Sequence, residues 1–367
     1  MEVVINQQDL LNVAFAIQNI ASPQASLPIL ENVMITTNED SVDFTVTDLD
    51  ISLKYNCKAK IIEQGNITVP INKFISVVKE LPKEDINLKL KENTLIISFG
   101  KIKFKVNGLP ISDFPSISYS LENSISISQI KLKRLLDMTL FTVSRDETKP
   151  AYNGVLLDIR GKEVRMVGTD SKRLAVIFDT LEEEITNNIK SIVSYKAAVE
   201  ISKNLQGEGN IEIAINNNQI CFKLNNIILV SRLIQDDFPN YDKAIPKYKS
   251  GIKIETKRFY DALKRVSVFT DLELKAITIN IAKDNIVLFK KSSNMDEAQD
   301  EIEIKENDIE LVLGINPVFI NDILKTVCDK EIELEVTTSE KPVVIRKTNE
   351  YIYIILPMQL ENKEWMT

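Results

Sequence analysis

Histidine is missing from all 367 residues of the sequence. This absence excludes Ser-His-Asp and Cys-His nucleophile systems, histidine-containing zinc sites and facial iron triads, because each needs an imidazole. Catalysis by carboxylates, lysine or bound magnesium is not excluded. Cysteine is scarce: Cys57, Cys221 and Cys328 are odd in number and far apart, in apolar surroundings. This pattern predicts buried, reduced thiols rather than a disulfide framework or a metal site.

Long apolar runs are also absent. No run approaches the roughly 20 residues that a membrane-spanning helix needs, and the densest, 352–358, has the length of a strand. The N-terminus lacks the basic and apolar regions of a secretory signal. With 44% hydrophobic and 27% charged residues, the chain has enough apolar side chains for packed cores. We therefore expect a soluble, cytoplasmic protein of two or three domains with no membrane partner.

Short motifs recur at a spacing of about 122 residues. Thr47-Asp48-Leu49-Asp50-Ile51 is echoed by Thr169-Asp170-Ser171-Lys172-Arg173-Leu174 at an offset of 122. Asp113-Phe114-Pro115 returns as Asp237-Phe238-Pro239 at an offset of 124. Agreement between separate markers indicates an internal repeat. The sequence thus predicts three similar domains, covering 1–121, 122–249 and 250–367.

The hydrophobic pattern of each repeat predicts one kind of unit. Apolar residues at helical spacing predict a first helix in each copy and a second one later. The predicted helical segments are 7–20, 72–80, 131–144, 195–205, 257–270 and 316–326. Between them lie about eight strands of alternating polarity per copy. Without regular βαβ alternation, this predicts an α+β fold in which two helices pack on antiparallel sheet.

Charge is unevenly distributed. A net charge of −8 argues against a nucleic-acid partner on its face. The six helical segments, however, contain 12 basic and 6 acidic residues, so the rest of the chain carries −14. Basic helices in an otherwise acidic chain suit contact with a phosphate backbone. Amphipathic helices with charged, solvent-facing sides would, however, give the same distribution of charge. No zinc-finger or helix-turn-helix pattern is present, so any such contact should be independent of base sequence.

None of the candidate catalytic motifs in the sequence has the context that its chemistry requires. Asp48 and Asp50 could form a metal-binding pair, but the repeat lacks the second carboxylate at the matching position, which favours a local turn. Gly207-Glu208-Gly209-Asn210 lacks the context of a dinucleotide fingerprint and is interpreted as a hairpin turn. With no pair placed for acid–base work, we expect neither an enzyme nor a bound metal or cofactor. Two alternatives stay open: a metal-dependent nucleotidyltransferase or nuclease, and an open-groove DNA-binding scaffold.

The repeated unit, with Thr169-Asp170-Ser171-Lys172-Arg173-Leu174-Ala175-Val176, Phe238-Pro239-Asn240-Tyr241 and Leu356-Pro357-Met358-Gln359-Leu360, resembles the bacterial sliding clamp family, the beta subunit of DNA polymerase III. The similarity runs from residue 1 to about 360. It implies the DNA clamp fold, and a head-to-tail homodimeric ring around duplex DNA that acts as a processivity factor. It also implies partners that dock by short peptides: the polymerase III catalytic subunit, the clamp loader, other polymerases, ligase and mismatch-repair proteins.

The resemblance also implies site residues. A groove for partner peptides would be formed by Tyr152, Thr169, Ser171, Lys172, Arg173, Leu174, Pro239, Ala244, Asn316, Phe319, Ile354, Leu356, Pro357 and Met358. Basic helix residues expected at DNA are Lys73, Lys79, Lys133, Arg134, Lys196, Lys203 and Lys264. The dimer interface would use Lys101, Lys103, Phe104, Val106, Val268, Phe269, Asp296, Glu297, Asp300 and Glu301.

Three features depart from the family pattern. Ser171 and Lys172 stand where the family usually has Gly and often His, which would make one wall of the groove more polar. Gln24 replaces a basic residue that the family commonly has in its first-domain loop. The segment 361–367 is an extra tail.

Overall fold

The threefold repeat is visible in the order of the secondary-structure elements. The computed structural model describes residues 1–20, 27–146, 148–216, 218–248, 250–270, 276–292 and 295–360. The first repeat contains β1 (Glu2–Asn6), α1 (Gln7–Ile17), β2 (Asn32–Thr37), β3 (Ser41–Thr47), β4 (Ile51–Lys58), β5 (Lys60–Glu63), β6 (Asn66–Pro70), α2 (Ile71–Glu80), β7 (Asp85–Lys91), β8 (Thr94–Phe99) and β9 (Ile102–Asn107).

The second and third repeats follow the same order. The second contains β10 (Ile125–Ser128), α3 (Gln129–Asp137), β11 (Gly154–Arg160), β12 (Glu163–Thr169), β13 (Arg173–Thr180), β14 (Ile189–Ser194), α4 (Tyr195–Asn204), β15 (Asn210–Ile215), β16 (Gln219–Leu224) and β17 (Ile227–Ile234). The third contains β18 (Ile252–Glu255), α5 (Thr256–Val266), β19 (Ile277–Ile281), β20 (Asn285–Lys291), β21 (Glu297–Glu303), β22 (Leu311–Ile315), α6 (Pro317–Thr326), β23 (Glu331–Glu335), β24 (Val343–Lys347) and β25 (Tyr351–Ile355). Single 3₁₀ turns lie at Pro28–Glu31, Ile111–Asp113, Leu140–Thr142, Pro150–Tyr152, Tyr241–Ala244 and Ser267–Phe269.

The chain divides into two compact units. Unit one is Met1–Leu132 with Lys196–Ile234, and unit two is Lys133–Tyr195 with Gln235–Thr367. Within unit one, strands pair in the orders β5-β1-β7-β8-β9 and β6-β2-β3-β4-β17-β16-β15-β10. Within unit two the orders are β14-β11-β12-β13-β25-β24-β23-β18 and β21-β20-β19-β22. Neighbouring strands pair antiparallel, as the alternating sequences predict.

Apolar helix faces build the cores of both units. In α1, Leu10, Val13 and Ile17 are fully buried, at the spacing expected for one helix face. The Phe44 and Phe74 rings pack with centroids 5.7 Å apart, which joins α2 to the sheet. In unit two, α5 and α6 pack on each other. Of the described helices, none is long and apolar enough to span a membrane.

Several sequence-based predictions need correction. The first helices of the repeats end earlier than predicted, at Ile17, Asp137 and Val266, because 3₁₀ turns or loops replace the last turn. Just after α3, the Thr139 hydroxyl donates to the Leu135 carbonyl at 2.7 Å, and this bond competes with continuation of the helix. The segment 207–210 is not a hairpin turn, because it connects α4 to β15.

The cysteine prediction is confirmed in part. Cys57 and Cys221 are buried, and burial raises the pKa of their thiols to about 12 and about 11. Cys328 is exposed, contrary to the prediction. It follows the end of α6 in the connection to β23, where the apolar neighbours in sequence do not cover it. Gln24 and the tail 361–367 lie outside the described residues.

Candidate functional site

The turn between β12 and β13 forms one side of the predicted groove. The Thr169 hydroxyl donates to the Arg173 carbonyl at 2.7 Å, and Asp170 Oδ1 accepts from the backbone N–H groups of Lys172 and Arg173 at 2.9 and 3.0 Å. Ser171 has a φ of +74°, a region that favours glycine. This explains why glycine fits at that position. Ser171 and Lys172 themselves are exposed at the tip of the turn.

The matching turn of the first repeat has the same construction. Leu49 has a φ of +81°, and Asp48 Oδ1 accepts from the N–H groups of Asp50 and Ile51 at 3.0 and 2.8 Å. The interpretation of Asp48 as a turn residue is therefore confirmed. Among the described residues, no group of three Cys, Asp or Glu side chains is placed to hold a metal ion.

Arg173 joins three elements of unit two. Its Nε donates to Asp170 Oδ2 at 3.0 Å, its Nη1 donates to Asp322 Oδ2 of α6 at 2.8 Å, and its Nη2 donates to the Phe141 carbonyl. The guanidinium carbon lies 4.5 Å from the Phe319 ring centroid and 5.5 Å from that of Phe141. Because its donors are engaged within the chain, Arg173 holds α6 against the turn.

Removing this guanidinium should destabilise unit two. The Arg173 side chain is 11% exposed, so Arg173→Ala leaves Asp170 and Asp322 partly buried without their partner. We expect a loss of about 3 kcal/mol in the free energy of unfolding. Urea denaturation of both proteins measures it. Arg232→Ala is the matched control, because that side chain is 71% exposed and lies 3.6 Å from Asp50. A loss no larger than the control's would contradict this role for Arg173.

Apolar side chains of the predicted groove lie beside this turn. Leu174 of β13 pairs with Ile354 of β25, and both are buried. Beyond the strand, Leu356 is 45% exposed and Met358 is 38% exposed. Backbone bonds fix their positions: Leu356 N donates to the Lys172 carbonyl at 2.9 Å, and Met358 N donates to the Gly314 carbonyl at 2.9 Å. A Cβ on Gly314 would lie 2.6 Å from the Met358 carbonyl oxygen, so glycine is required for this close approach.

The start of α6 adds a polar and an aromatic side chain. Asn316 caps the helix, since its Oδ1 accepts from Val318 N at 3.0 Å, and Pro317 occupies the first helical position. Phe319 is half-buried and keeps one face on Arg173. The Met358 N–H bonds to Gly314 in β22, the strand that leads into α6.

Buried charges anchor the segment that carries Pro239 and Ala244. The Tyr241 hydroxyl donates to Asp158 Oδ2 at 2.6 Å, and Arg160 Nη2 donates to the same oxygen at 2.7 Å. Burial would raise the pKa of Asp158, but these two bonds outweigh it and lower that pKa. Burial and the Asp158 carboxylate raise the pKa of Tyr241 to about 12. Pro239 and Ala244 are exposed on either side of this anchor.

The remaining predicted groove residues lie in the same unit. Thr169 is buried, Tyr152 is half-buried with Lys149 Nζ 5.8 Å from its ring centroid, and Pro357 is half-buried. Unit two thus contains every predicted groove residue. Sequence reasoning missed Phe141 and Asp322, the partners of Arg173; Asp322 is three residues after Phe319 on α6.

The predicted basic residues differ in their surroundings. Lys73, Lys79 and Lys264 are exposed, and none of them makes an ion pair with another described residue. The other four are partly engaged within the chain. Lys196 bonds to Asp48, Lys203 to Glu200 and Lys133 to Asp137, while Arg134 donates to the Phe178 carbonyl at 3.1 Å.

The predicted interface residues lie at two sheet edges and beside one helix. Lys101 and Lys103 are exposed, Phe104 is half-buried and Val106 is buried at β9, which ends its sheet. At β21, which also ends a sheet, Asp296, Glu297 and Glu301 are exposed. Asp300 binds Arg265 Nε at 2.6 Å and Arg258 Nη2 at 3.3 Å in its own chain. Val268, after α5, is 72% exposed, and Phe269 is half-buried.

Comparisons with known proteins agree along the whole chain. Residues 1–118, 126–240 and 242–359 match the N-terminal, central and C-terminal domains of the DNA polymerase III beta subunit. A beta sliding clamp of Chlamydia pneumoniae is 28% identical over 99% of this chain and all of its own length. The sliding clamp of Bacillus subtilis superimposes with a TM-score of 0.93 at 26% identity, covering 98% of this chain and 99% of its own.

A further solved structure is a sliding clamp of Bartonella birtlesii bound to griselimycin. It has a TM-score of 0.93 and 26% identity, and covers 98% of this chain and 100% of its own. The threefold repeat, the DNA clamp fold and these matches agree. The chain therefore belongs to the DNA polymerase III beta subunit family, the sliding clamps, which are non-catalytic processivity subunits.

Proposed function

We propose that two copies of this chain close head to tail into a ring around duplex DNA, and that partner proteins bind the groove of unit two through short peptides. The three repeats, bounded at 1–121, 122–249 and 250–367, would be the domains of this ring. DNA and a polymerase are the partners that membership of the sliding-clamp family implies. Holding a polymerase on DNA by linkage needs neither base recognition nor chemistry.

The strand order carries the proposal of ring closure. In each unit, the third strand after the first helix of one repeat pairs with the last strand of the next repeat: β4 with β17, and β13 with β25. The corresponding strand of the third repeat is β21, and the corresponding last strand of the first repeat is β9. Both end their sheets. A second copy that pairs β9 with β21 would repeat the same join twice by two-fold symmetry and would cover two exposed edges.

Charge and apolar surface support this pairing. β9 carries Lys103 and Lys105 with Lys101 beside it, whereas β21 carries Glu297, Glu301 and Glu303. Opposite charges on paired strands favour this partner over a like-charged one, although exposed pairs contribute only about 0–1 kcal/mol each. The apolar side chains Phe104, Val268 and Phe269 would supply most of the stability. Asp300, already bound to two arginines, would hold its own chain's α5 against β21 instead of pairing across the interface.

The groove suits an extended peptide with apolar side chains. Leu356 and Met358 are exposed, and Phe319, Pro239 and Tyr152 leave apolar surface around them. Such peptides gain affinity by inserting side chains into preformed apolar sites. Arg173 contributes by keeping the wall rigid. The polymerase III catalytic subunit, the clamp loader, other polymerases, ligase and mismatch-repair proteins are the proposed sources of these peptides. The exposed Ser171 and Lys172 would make one side of the groove polar.

DNA would be held by linkage and weak phosphate contacts. Lys73, Lys79 and Lys264 are the best placed of the predicted residues, because their charges are exposed and unpaired among the described residues. The other four, Lys133, Arg134, Lys196 and Lys203, would have to exchange an internal partner for a phosphate. Such contacts carry no sequence information.

Retention on circular DNA tests the proposed function. We expect protein loaded onto nicked circular DNA by a bacterial clamp loader and ATP to stay bound through gel filtration in about 0.5 M salt, because direct phosphate contacts weaken steeply with salt whereas a closed ring cannot dissociate without opening. Linearising the same DNA should release the protein, since it can slide off the ends. Equal retention on both forms would favour an open-groove scaffold. Cleavage of the DNA in magnesium would instead favour the nuclease alternative.

A further inference from the structure

A cavity of about 310 Å³ lies in unit one, away from the groove. It is lined by one face of the sheet β2-β3-β4-β17 and by the segment 111–119, which follows β9, and it is open to solvent on one side. Cross-strand pairs place its floor residues on a single face: Thr36 opposite Asp43, and Thr45 opposite Lys54. Met34 lies opposite Thr45 and Ile228 opposite Lys54 on this same face, so the floor has both polar and apolar side chains. Ile117 of the segment 111–119 adds apolar surface.

The floor of the cavity has one carboxylate, Asp43, which is held by two neighbouring side chains. Asp43 is 7% exposed, accepts from Asn56 Nδ2 at 2.8 Å and pairs with Lys54 Nζ at 2.7 Å. Its charge is balanced by Lys54, so the cavity carries no net charge from this pair. A carboxylate has acceptor sites beyond two such bonds. The cavity thus combines apolar surface with a hydrogen-bond acceptor at the floor.

The second repeat shows which side chain stands at the position that corresponds to this cavity. At the offset of 124, Tyr241 occupies the position of Ile117, and at the offset of 122, Asp158 and Arg165 occupy those of Thr36 and Asp43. Tyr241 is 3% exposed, and its hydroxyl donates to Asp158 Oδ2 at 2.6 Å. In unit two the chain thus has its own phenol ring at the corresponding position. In unit one the shorter Ile117 stands there, and the cavity is open although the 38% exposed Tyr119 also lines it.

We propose that the unit-one cavity is a binding site for an uncharged phenol, such as a tyrosine side chain or a small aromatic alcohol. The ring would pack between Met34, Ile117 and Ile228, and the hydroxyl would donate to Asp43. An engineered cavity of roughly 150 Å³ holds benzene, so the volume is sufficient for a substituted ring. A phenol is uncharged near neutral pH, which suits a floor whose carboxylate already has a cation partner.

The floor also distinguishes this site from the peptide groove. At the repeat positions of Thr45, Ser52 and Lys54, the second repeat has Val167, Leu174 and Val176. An apolar face suits leucine and phenylalanine side chains, whereas in unit one such side chains would cover the remaining acceptor positions of Asp43 without supplying a donor. The clamp-binding peptide and the phenol are therefore expected at different sites.

Titration of the full-length protein with p-cresol and toluene tests the proposal. Chemical-shift changes in ¹³C-methyl-labelled Met34 and Ile228 report binding. We expect p-cresol to bind at least about ten-fold more tightly than toluene, because only p-cresol can pair with the buried acceptor. N-acetyl-tyrosinamide separates the two sources: binding shows that the cavity admits a protein side chain, and its exclusion restricts the ligand to small phenols.

Substitutions of residues that line the cavity test whether the ligand binds there. Ile117→Tyr restores the residue of the second repeat and should fill the cavity, so p-cresol affinity should fall at least about ten-fold. Ile117→Leu, of similar volume, is the matched control and should bind as the unaltered protein does. Ser52→Leu, which narrows the floor, gives an independent test if Ile117→Tyr does not fold. Failure of p-cresol to bind, equal binding of toluene, or unchanged binding in the filled variants would overturn the proposal.

Discussion

Replacing Phe269 with Asp is expected to convert a dimer of twice 41.7 kDa into a folded monomer. Phe269 is half-buried after α5, next to the 72% exposed Val268. In the proposed ring, this apolar pair meets Phe104 of the second copy. An unpaired carboxylate enclosed there costs about 4 kcal/mol. That corresponds to roughly a thousand-fold increase in the dimer dissociation constant. Sedimentation equilibrium over the micromolar range measures it.

The control variant makes the same substitution, Phe to Asp, at a different site. Phe15 of α1 is 50% exposed and distant in sequence from both sheet edges, so Phe15→Asp adds the same charge elsewhere. It should leave the dimer mass unchanged. Circular dichroism must show that both variants are folded. Should Phe269→Asp remain dimeric at the lowest measurable concentration, the edges β9 and β21 would not be the interface.

Local sequence patterns predict the architecture well, because the repeat supplies each pattern three times. The helix at the start of each repeat and the turns at Asp48 and Asp170 follow from residues close together in the chain. Helix ends are less predictable: α3 ends at Asp137 because Thr139 bonds back to Leu135, a competition between two bonding patterns that apolar periodicity does not reveal.

The groove depends on contacts that no local pattern contains. The partners of Arg173 come from three places: Asp170 in its own turn, Phe141 before it, and Asp322 about 150 residues later, which only the fold brings together. The solvent exposure of these side chains was likewise not predictable from the sequence. Ile354 and Leu356 look alike as alternating apolar residues, yet one is 5% and the other 45% exposed, because the strand ends between them.

Comparison of the repeats offers information that each repeat alone lacks. The position of Ile117 is unremarkable until it is compared with Tyr241, which stands at the equivalent position of the second repeat and bonds to Asp158. Likewise, the β13 position of Leu174 corresponds to Ser52, so the face in unit one is more polar than its counterpart in unit two. The repeat therefore predicts where sites lie, and the substitutions within it predict what each site binds.

Leu356→Asp should abolish peptide binding while leaving the fold intact. Leu356 is 45% exposed beyond the end of β25, so a charge there is solvated in the free protein and is desolvated only when a peptide covers it. Truncating or charging a central apolar contact typically costs 2 kcal/mol or more, so we expect affinity to fall at least about 30-fold. Fluorescence anisotropy with a labelled Gln- and Leu-rich peptide that ends in Phe measures the affinity. Leu174→Asp is less suitable, because Leu174 is 8% exposed within a central strand and its loss would also unfold the sheet.

The first repeat provides the matched control for this variant. Leu109 is 46% exposed and follows β9 just as Leu356 follows β25, so Leu109→Asp introduces the same charge at the same degree of exposure in unit one. It should bind the peptide as the unaltered protein does. Both variants should keep the thermal midpoint of the unaltered protein, since neither residue is in a core. Equal peptide affinity in the two variants would place the peptide site elsewhere, because the only difference between them is which repeat carries the charge.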